Sequence, residues 1–159
     1  MDVAVSATNA VSLIRGNGAG GVLSTTNIAV AGTLRGIAAV NIDGLNGTDI
    51  LVASASANTV ARLLNNGAGG FTVTNNFVPA LPGAFEMASA DFNGDARPDF
   101  IVTSATSGAT ISACRNNAGT SYVCNGITSP QVNSSVATGD VNSDGKMDFV
   151  LASPSSNVV

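Results

Sequence analysis

Short apolar runs rich in β-branched residues recur along the chain, and an aspartate directly precedes each of them. Ser, Ala and Asn bound these runs, which is typical of short buried strands. The four runs occupy residues 3–6, 50–54, 100–104 and 149–153. No window sustains the apolar spacing of a helix without a glycine or an asparagine breaking it. The hydrophobic pattern therefore predicts a chain built from strands.

The same series of segments follows each run and predicts three further strands per unit. A short polar turn, which often ends in Asn as at Asn9 and Asn58, separates the first strand from the second. The next turn is rich in Gly and Asn, which tolerate the positive φ of hairpin turns. The second strands are predicted at 10–15, 59–64 and 109–115, the third at 22–26, 71–75 and 121–125, and the fourth at 37–40, 85–90 and 136–139.

The units repeat with a strict period. Acidic loops begin at residues 41, 91 and 140, so the period is 49 to 50 residues. Four antiparallel strands per unit of this length is the content of one propeller blade. A β-sandwich has a similar strand count, and the strict period favours the propeller.

We therefore predict an all-β fold of β-propeller blades with four antiparallel strands each, about three blades plus a partial one. The predicted units are residues 2–48, 49–98, 99–147 and the partial unit 148–159. Closed propellers have about 4–8 blades. The ring is thus expected to be incomplete unless further blades, or other copies of the same chain, complete it.

A nine-residue acidic loop leads into each apolar run. At 140–148, oxygen-bearing side chains occupy positions 1, 3, 5 and 9, and the pattern recurs at 91–99 and, with substitutions, at 41–49. Ca²⁺ takes several oxygen ligands at about 2.3–2.6 Å, and short side chains on alternate residues can direct oxygens at one centre. Asp2 precedes Val3 as Asp49 precedes Ile50, so Asp2 is predicted to be position 9 of another such loop.

The distribution of charge strengthens the calcium prediction. Eight of the ten acidic residues lie inside the three loops. Concentrating like charges in tight loops is costly unless a cation neutralises them. The net charge of −4 does not favour a nucleic-acid partner, and no apolar run approaches the ~20 residues of a membrane span. The chain has no His, and therefore no His-based triad or general base, so we expect no enzymatic activity.

The two cysteines, Cys114 and Cys124, are equally distant from residue 119 in the third Gly- and Asn-containing turn. In a tight hairpin centred there, they would face each other across two antiparallel strands. A disulfide would indicate an oxidising compartment. Two small buried thiols are the alternative.

Residues 88–102 resemble the FG-GAP/VCBS repeat of integrin-α-like β-propellers, and residues 58–60 followed by 64–71 continue the match in order. The resemblance covers nearly the whole chain in three copies. It implies that each acidic loop joins the first and second strands of a blade and holds Ca²⁺. The ligands would be the side chains at positions 1, 3, 5 and 9 and the backbone carbonyl at position 7.

This resemblance implies two full ligand sets. One comprises Asp91, Asn93, Asp95, the Arg97 carbonyl and Asp99. The other comprises Asp140, Asn142, Asp144, the Lys146 carbonyl and Asp148.

The loop at 41–49 departs from the family pattern. Asn41 stands at position 1 and Leu45 at position 5, while Asp43 and Asp49 remain. Because Leu45 offers no side-chain oxygen, we expect weak or no calcium binding there. In the loop at 91–99, Ala96 replaces the usual glycine at position 6, which is expected to add a small strain.

The resemblance also implies a function: a calcium-binding extracellular or cell-surface module in adhesion, protein–protein interaction or structural assembly. Its partners would be other blades, copies of the chain, or an extracellular protein or glycan met by the variable connections at 75–84 and 126–135. One alternative is a carbohydrate-binding, lectin-like propeller, although the chain has no Trp and one Tyr, and Phe77 is the aromatic expected in a loop. Another is the non-catalytic scaffold of a larger secreted enzyme.

Overall fold

The computed structural model describes residues 2–79, 82–106, 110–128 and 135–153, and this part of the chain is all-β, as predicted. The predicted connections at 75–84 and 126–135 and the end of the partial unit lie partly outside these residues. The strands are β1 Val3–Gly16, β2 Val22–Val40, β3 Asp49–Ser54, β4 Thr59–Asn65, β5 Phe71–Pro79, β6 Ala84–Ala90, β7 Asp99–Ser104, β8 Thr110–Asn117, β9 Ser121–Thr128, β10 Ser135–Gly139 and β11 Asp148–Ala152. Within these ranges no helix is suited to crossing a membrane.

The strands form antiparallel sheets in chain order. One sheet has the order β1-β2-β3-β4-β5, the next β6-β7-β8-β9, and the last pairs β10 with β11. β2 is 19 residues long, and it pairs with β1 through its first part and with β3 through residues 34–40. Residues 34–40 with β3, β4 and β5 therefore make one four-stranded blade, here called blade one, and β6–β9 make blade two.

The first unit differs from the prediction at Asn9. The expected turn is absent, and β1 continues through Asn9 with a register shift between Thr8 and Ala10. Asn9 has a φ of 59°, and its Oδ1 accepts a hydrogen bond from the Gly32 N–H at 2.9 Å. Residues 30–32 of β2 thus lie opposite Asn9 alone, so β2 carries a bulge here while β1 continues along it as one strand. At the equivalent Asn58, with a φ of 53°, the chain does turn from β3 into β4.

The sheets stack face to face, and their middle strands are buried on both sides. All six residues of β3 are buried, as are all six of β7. Ile50 and Val52 face a cluster with Val11 and Val30 from the first unit. Leu51 and Ala53 face the opposite cluster, which contains Phe100 and Val102 of blade two. Because the apolar runs in β3 and β7 are buried on both sides, their sequences are continuously apolar rather than alternating.

Successive blades touch at both their first and fourth strands. Gly36 of β2 lies against β6, where an added Cβ would come within 2.6 Å of the Met87 backbone nitrogen. At the far side, the rings of Phe77 in β5 and Tyr122 in β9 meet edge to face at 5.7 Å. Phe77 is therefore in a strand rather than in the predicted loop, and the Arg62 guanidinium covers its ring at 3.9 Å. Stacking of four-stranded sheets in this way is the arrangement of propeller blades.

Candidate calcium loops

Three loops of the same length join the first and second strands of successive blades. They are the first loop, residues 41–49, the second loop, residues 91–99, and the third loop, residues 140–148. The residue before each loop pairs in the sheet with position 9, as Val40 does with Asp49 and Ala90 with Asp99. Each loop is thus the closed end of a β-hairpin.

The aspartate at position 9 closes each loop onto itself. Its Oδ2 accepts the N–H of position 2 at 2.8 Å in the first loop, 3.1 Å in the second and 3.1 Å in the third. Asp49 and Asp99 are buried, with exposed fractions of 0% and 3%. A buried carboxylate needs such hydrogen bonds to offset its desolvation.

The other oxygen of position 9 binds the third strand of the same blade. Asp49 Oδ1 accepts the Asn65 N–H at 2.8 Å, and Asp99 Oδ1 accepts the Asn116 N–H at 2.7 Å. Asp2 makes the same contact, because its Oδ1 accepts the N–H of Gly16 at 2.9 Å. Asp2 therefore makes one of the two contacts of a position-9 residue, in agreement with its sequence context, although it is exposed.

The front halves of the second and third loops share one hydrogen-bond pattern. The position-1 carboxylate accepts N–H bonds from positions 5 and 6, at 3.2 and 2.7 Å for Asp91 and at 3.1 and 2.9 Å for Asp140. The Oδ1 of position 3 accepts the N–H of position 5, and the Oδ1 of position 5 accepts the N–H of position 7. In each loop, backbone N–H groups thus bind side-chain oxygens of positions 1, 3 and 5 around a tight turn.

Two left-handed residues allow this turn. Position 4 has a φ of 77° at Gly94 and 62° at Ser143, and position 6 has a φ of 62° at Ala96 and 82° at Gly145. The expected strain at Ala96 is confirmed, because a non-glycine residue in this region costs roughly 1–2 kcal/mol.

The first loop lacks several of these features. Leu45 at position 5 is 61% exposed and offers no acceptor, and the side chain of Asn41 at position 1 accepts the N–H of Gly44 instead of those of positions 5 and 6. The backbone also differs, because Gly47 at position 7 has a φ of 95°. Arg97 and Lys146, at the same position, are not left-handed. The carbonyl expected as a ligand therefore belongs to a different backbone conformation in the first loop.

The carboxylates of the second loop repel one another, and backbone N–H bonds stabilise them. Burial raises the pKa of the Asp99 carboxyl above its usual value, the N–H bonds from Asn116 and Phe92 act against this, and the charges of Asp95 and Asp91 raise it further. At Asp91, desolvation raises the pKa, but four backbone N–H bonds together outweigh it and hold the pKa below the usual value. A cation in the loop would relieve the repulsion that Asp99 experiences.

The donor chemistry of the second and third loops fits a hard cation, since every candidate ligand is an oxygen. Among the residues that the structure describes, no three His, Cys, Asp or Glu side chains are gathered as a metal-binding group. Calcium binding thus requires the loop carboxylates to draw closer together. The Oδ1 atoms of Asn93 and Asp95 each accept one N–H bond and retain a second lone pair for this purpose.

The predicted disulfide is confirmed beside the second loop. Cys114 of β8 and Cys124 of β9 are register partners, and their sulfur atoms are 2.08 Å apart. Two neighbours were not singled out from the sequence: Tyr122, whose hydroxyl donates to the Pro98 carbonyl at 3.0 Å, and Asn116. The recurrence of Asn 16 or 17 residues after a position-9 aspartate, at Asn65 and Asn116, is the signal that would have found the latter.

Stacked four-stranded sheets with a recurrent acidic loop at the same corner define a β-propeller-like repeat module. A comparison with protein-family models agrees, because the FG-GAP-like repeat matches at residues 42–102 and again at 91–151. The two matches together span more than half of the chain, and the chain belongs to the FG-GAP-like repeat family. No curated protein sequence matches this chain significantly.

Proposed function

We propose that this chain is a calcium-stabilised β-propeller repeat module that works outside the cell or at its surface in adhesion, protein–protein interaction or assembly. Calcium has a structural role in this proposal, because each ion ties the hairpin between two strands of a blade. Metal that binds only the folded state adds its binding free energy to the free energy of unfolding.

One observation supports calcium most strongly: loops with the same order of oxygen ligands also share a backbone. The second and third loops share the N–H bonds from positions 5 and 6 to the position-1 carboxylate, and all three loops are left-handed at positions 4 and 6. The first loop, which lacks an oxygen at position 5, is left-handed at position 7 as well. Ligand set and backbone thus change together.

Thermal unfolding with and without calcium tests this proposal. Calcium at 100 times its Kd adds about 2.7 kcal/mol per site, and a domain of this size shifts its Tm by about 2–4 °C per kcal/mol. A chelator is therefore expected to lower the Tm by roughly 5–10 °C per site. Asp140→Asn should remove part of that shift, whereas Asp43→Asn in the first loop should leave it unchanged. A Tm that is insensitive to chelator would refute the calcium role.

The fluorescence of Tyr122 reports on the second loop alone. It is the only Tyr of a chain without Trp, and its hydroxyl donates to the carbonyl of position 8. Calcium is therefore expected to change the tyrosine fluorescence. Asp91→Asn should abolish this change and Asp140→Asn should preserve it; the reverse result would contradict the assignment.

The disulfide and the calcium loops together support an extracellular location. Disulfides persist in oxidising compartments, and calcium sites in extracellular modules are often of low affinity. Detecting the oxidised Cys114–Cys124 bridge in protein taken directly from its native source tests this part of the proposal. Finding only free thiols there would contradict it.

An apolar face of blade two that the described residues cover only in part supports assembly with further blades. A cavity of about 550 Å³ lies between blade two and the β10–β11 pair, and Ile101, Ala113 and Phe149 contribute to its walls. Beside it, Val123 of β9 is 46% exposed. The equivalent face of blade one is covered by blade two. We expect either further FG-GAP-like units or another copy of the chain on this face, and light scattering of the purified chain will show whether it associates.

The aromatic residues do not favour the carbohydrate alternative. Glycan sites commonly use an exposed ring for stacking, but Phe77 lies under Arg62 and against Tyr122, which in turn packs on Phe100 at 4.8 Å. A protein ligand is therefore our preferred partner, and binding of the assembled protein to a glycan array would overturn that preference.

A further inference from the structure

Asn116 in β8 makes hydrogen bonds to two successive loops. Its side-chain Nδ2 donates to the Pro98 carbonyl of the second loop at 3.3 Å and to the Ile42 carbonyl of the first loop at 3.0 Å. Its backbone N–H donates to Asp99 Oδ1 at 2.7 Å. The side chain is 2% exposed, so this amide is a buried bridge between blade one and blade two.

The bridge lies in a closely packed joint. The Asn116 Oδ1 accepts the N–H of Gly119 at 2.7 Å and so holds the β8–β9 turn against the first loop. An added Cβ at Gly119 would lie 2.8 Å from the Asp43 Cα and 3.2 Å from the Ile42 carbonyl oxygen. The φ of 75° at Gly119 adds a second reason why only glycine fits here.

Asn65 occupies the equivalent place in blade one and serves as a natural comparison. Its N–H donates to Asp49 Oδ1 at 2.8 Å, and its Nδ2 donates to the Thr48 carbonyl at 3.2 Å. Both contacts lie within its own blade. Among the described residues, only the bridge at Asn116 adds a bond to the loop of the preceding blade.

We propose that Asn116 is a positioning residue for the calcium site in the second loop. Its hydrogen bonds couple that site to the joint between blades one and two. This inference rests on the calcium binding proposed above. Ligation through the Arg97 carbonyl and Asp99 orders Pro98, which lies between them. Because Asn116 holds both Pro98 and Asp99, that order extends to the Ile42 carbonyl in the first loop. Coupling is reciprocal, so a loosened joint weakens calcium binding.

Hydrogen exchange of the whole chain, in chelator and in calcium, tests the coupling. In the wild type, calcium should slow amide exchange in the second loop and also in the first loop. In Asn116→Ala, the response of the first loop should disappear, and the calcium Kd of the second loop should rise about 5-fold or more. Asn65→Ala is the matched control: it removes the equivalent side-chain bond within blade one but keeps both bridging bonds of Asn116, so the response of the first loop to calcium and that Kd should be retained.

Two further variants keep the test decisive. Gly119→Ala strains the same joint without altering Asn116 or a ligand, so it should also remove the first loop's response if Asn116→Ala does not fold. Asp91→Asn should remove the responses of both loops. Persistence of the first loop's response in Asp91→Asn would overturn the coupling, because that loop would then bind calcium itself.

The remaining outcomes separate the two proposals. A second loop that responds to calcium while the wild-type first loop does not would overturn the coupling and leave calcium binding intact. A first-loop response that survives both Asn116→Ala and Gly119→Ala would also overturn it. If neither loop responds in the wild type, calcium binding at the second loop is refuted, and the coupling with it.

Discussion

Asp49 and Asp99 hold the same place in two blades, but only Asp99 belongs to a complete set of the proposed calcium ligands. Each carboxylate is buried and accepts two backbone N–H bonds. Substitution by Asn keeps one oxygen and turns the other into an NH₂ group that faces an N–H donor. The loss of a hydrogen bond to a charged group costs about 1.5–3 kcal/mol.

The two variants are therefore expected to respond differently to calcium. In chelator, Asp49→Asn and Asp99→Asn should lower the free energy of unfolding by similar amounts, roughly 2–4 kcal/mol, since the new donor is also left unpaired. Calcium at 100 times its Kd should stabilise the second loop of the wild type by about 2.7 kcal/mol. Asp99→Asn forfeits this increment, and Asp49→Asn retains it.

Urea unfolding followed by circular dichroism, in chelator and in calcium, measures both costs. For each variant, we subtract the destabilisation measured in chelator from the destabilisation measured in calcium. The structural cost of the substitution is present in both values and cancels in this difference. We expect about 2.7 kcal/mol for Asp99→Asn and close to zero for Asp49→Asn. Equal changes for the two variants would refute the distinction between the loops.

Three further predictions follow from other contacts. Ala96→Gly should raise the free energy of unfolding by about 1 kcal/mol in urea unfolding, because it relieves a left-handed alanine; a destabilised variant would contradict the backbone described here. Burial, followed by the charge of Asp99, raises the pKa of Tyr122. The stability that the protonated phenol contributes should therefore be complete below about pH 10, the pKa of an unfolded tyrosine, and should be lost as the pH rises towards the higher folded pKa. Absorbance at alkaline pH should accordingly show tyrosinate later in folded than in urea-unfolded protein, and coincident titrations would contradict the buried phenol. Replacing Cys114 and Cys124 together by Ser, which opens a loop of sequence separation 10, should cost about 3 kcal/mol in urea unfolding, and an unchanged midpoint would contradict a stabilising bridge.

Features that depend on spacing within one unit were predictable from the sequence. The disulfide followed from two cysteines equidistant from a turn, and the register pairing of Cys114 with Cys124 confirms that reasoning. The strain at Ala96 followed from its place in the loop pattern. Both depend on local geometry, which the order of residues largely determines.

Features that depend on packing between units were not predictable. Asn116 and Ile42 are 74 residues apart in sequence, and their contact exists only because blade two stacks on blade one. The same is true of the edge-to-face contact between Phe77 in blade one and Tyr122 in blade two. Asn9 has the turn-forming character of Asn58, but the length of β2 keeps it within a strand.

The most direct test of the account is the number of calcium ions that one chain binds, measured by titration calorimetry with native mass spectrometry. We expect two bound ions, one in the second loop and one in the third. Asp95→Asn and Asp144→Asn should each bind one ion. No bound calcium, or two ions retained in either variant, would contradict the central claim that these loops are the calcium sites.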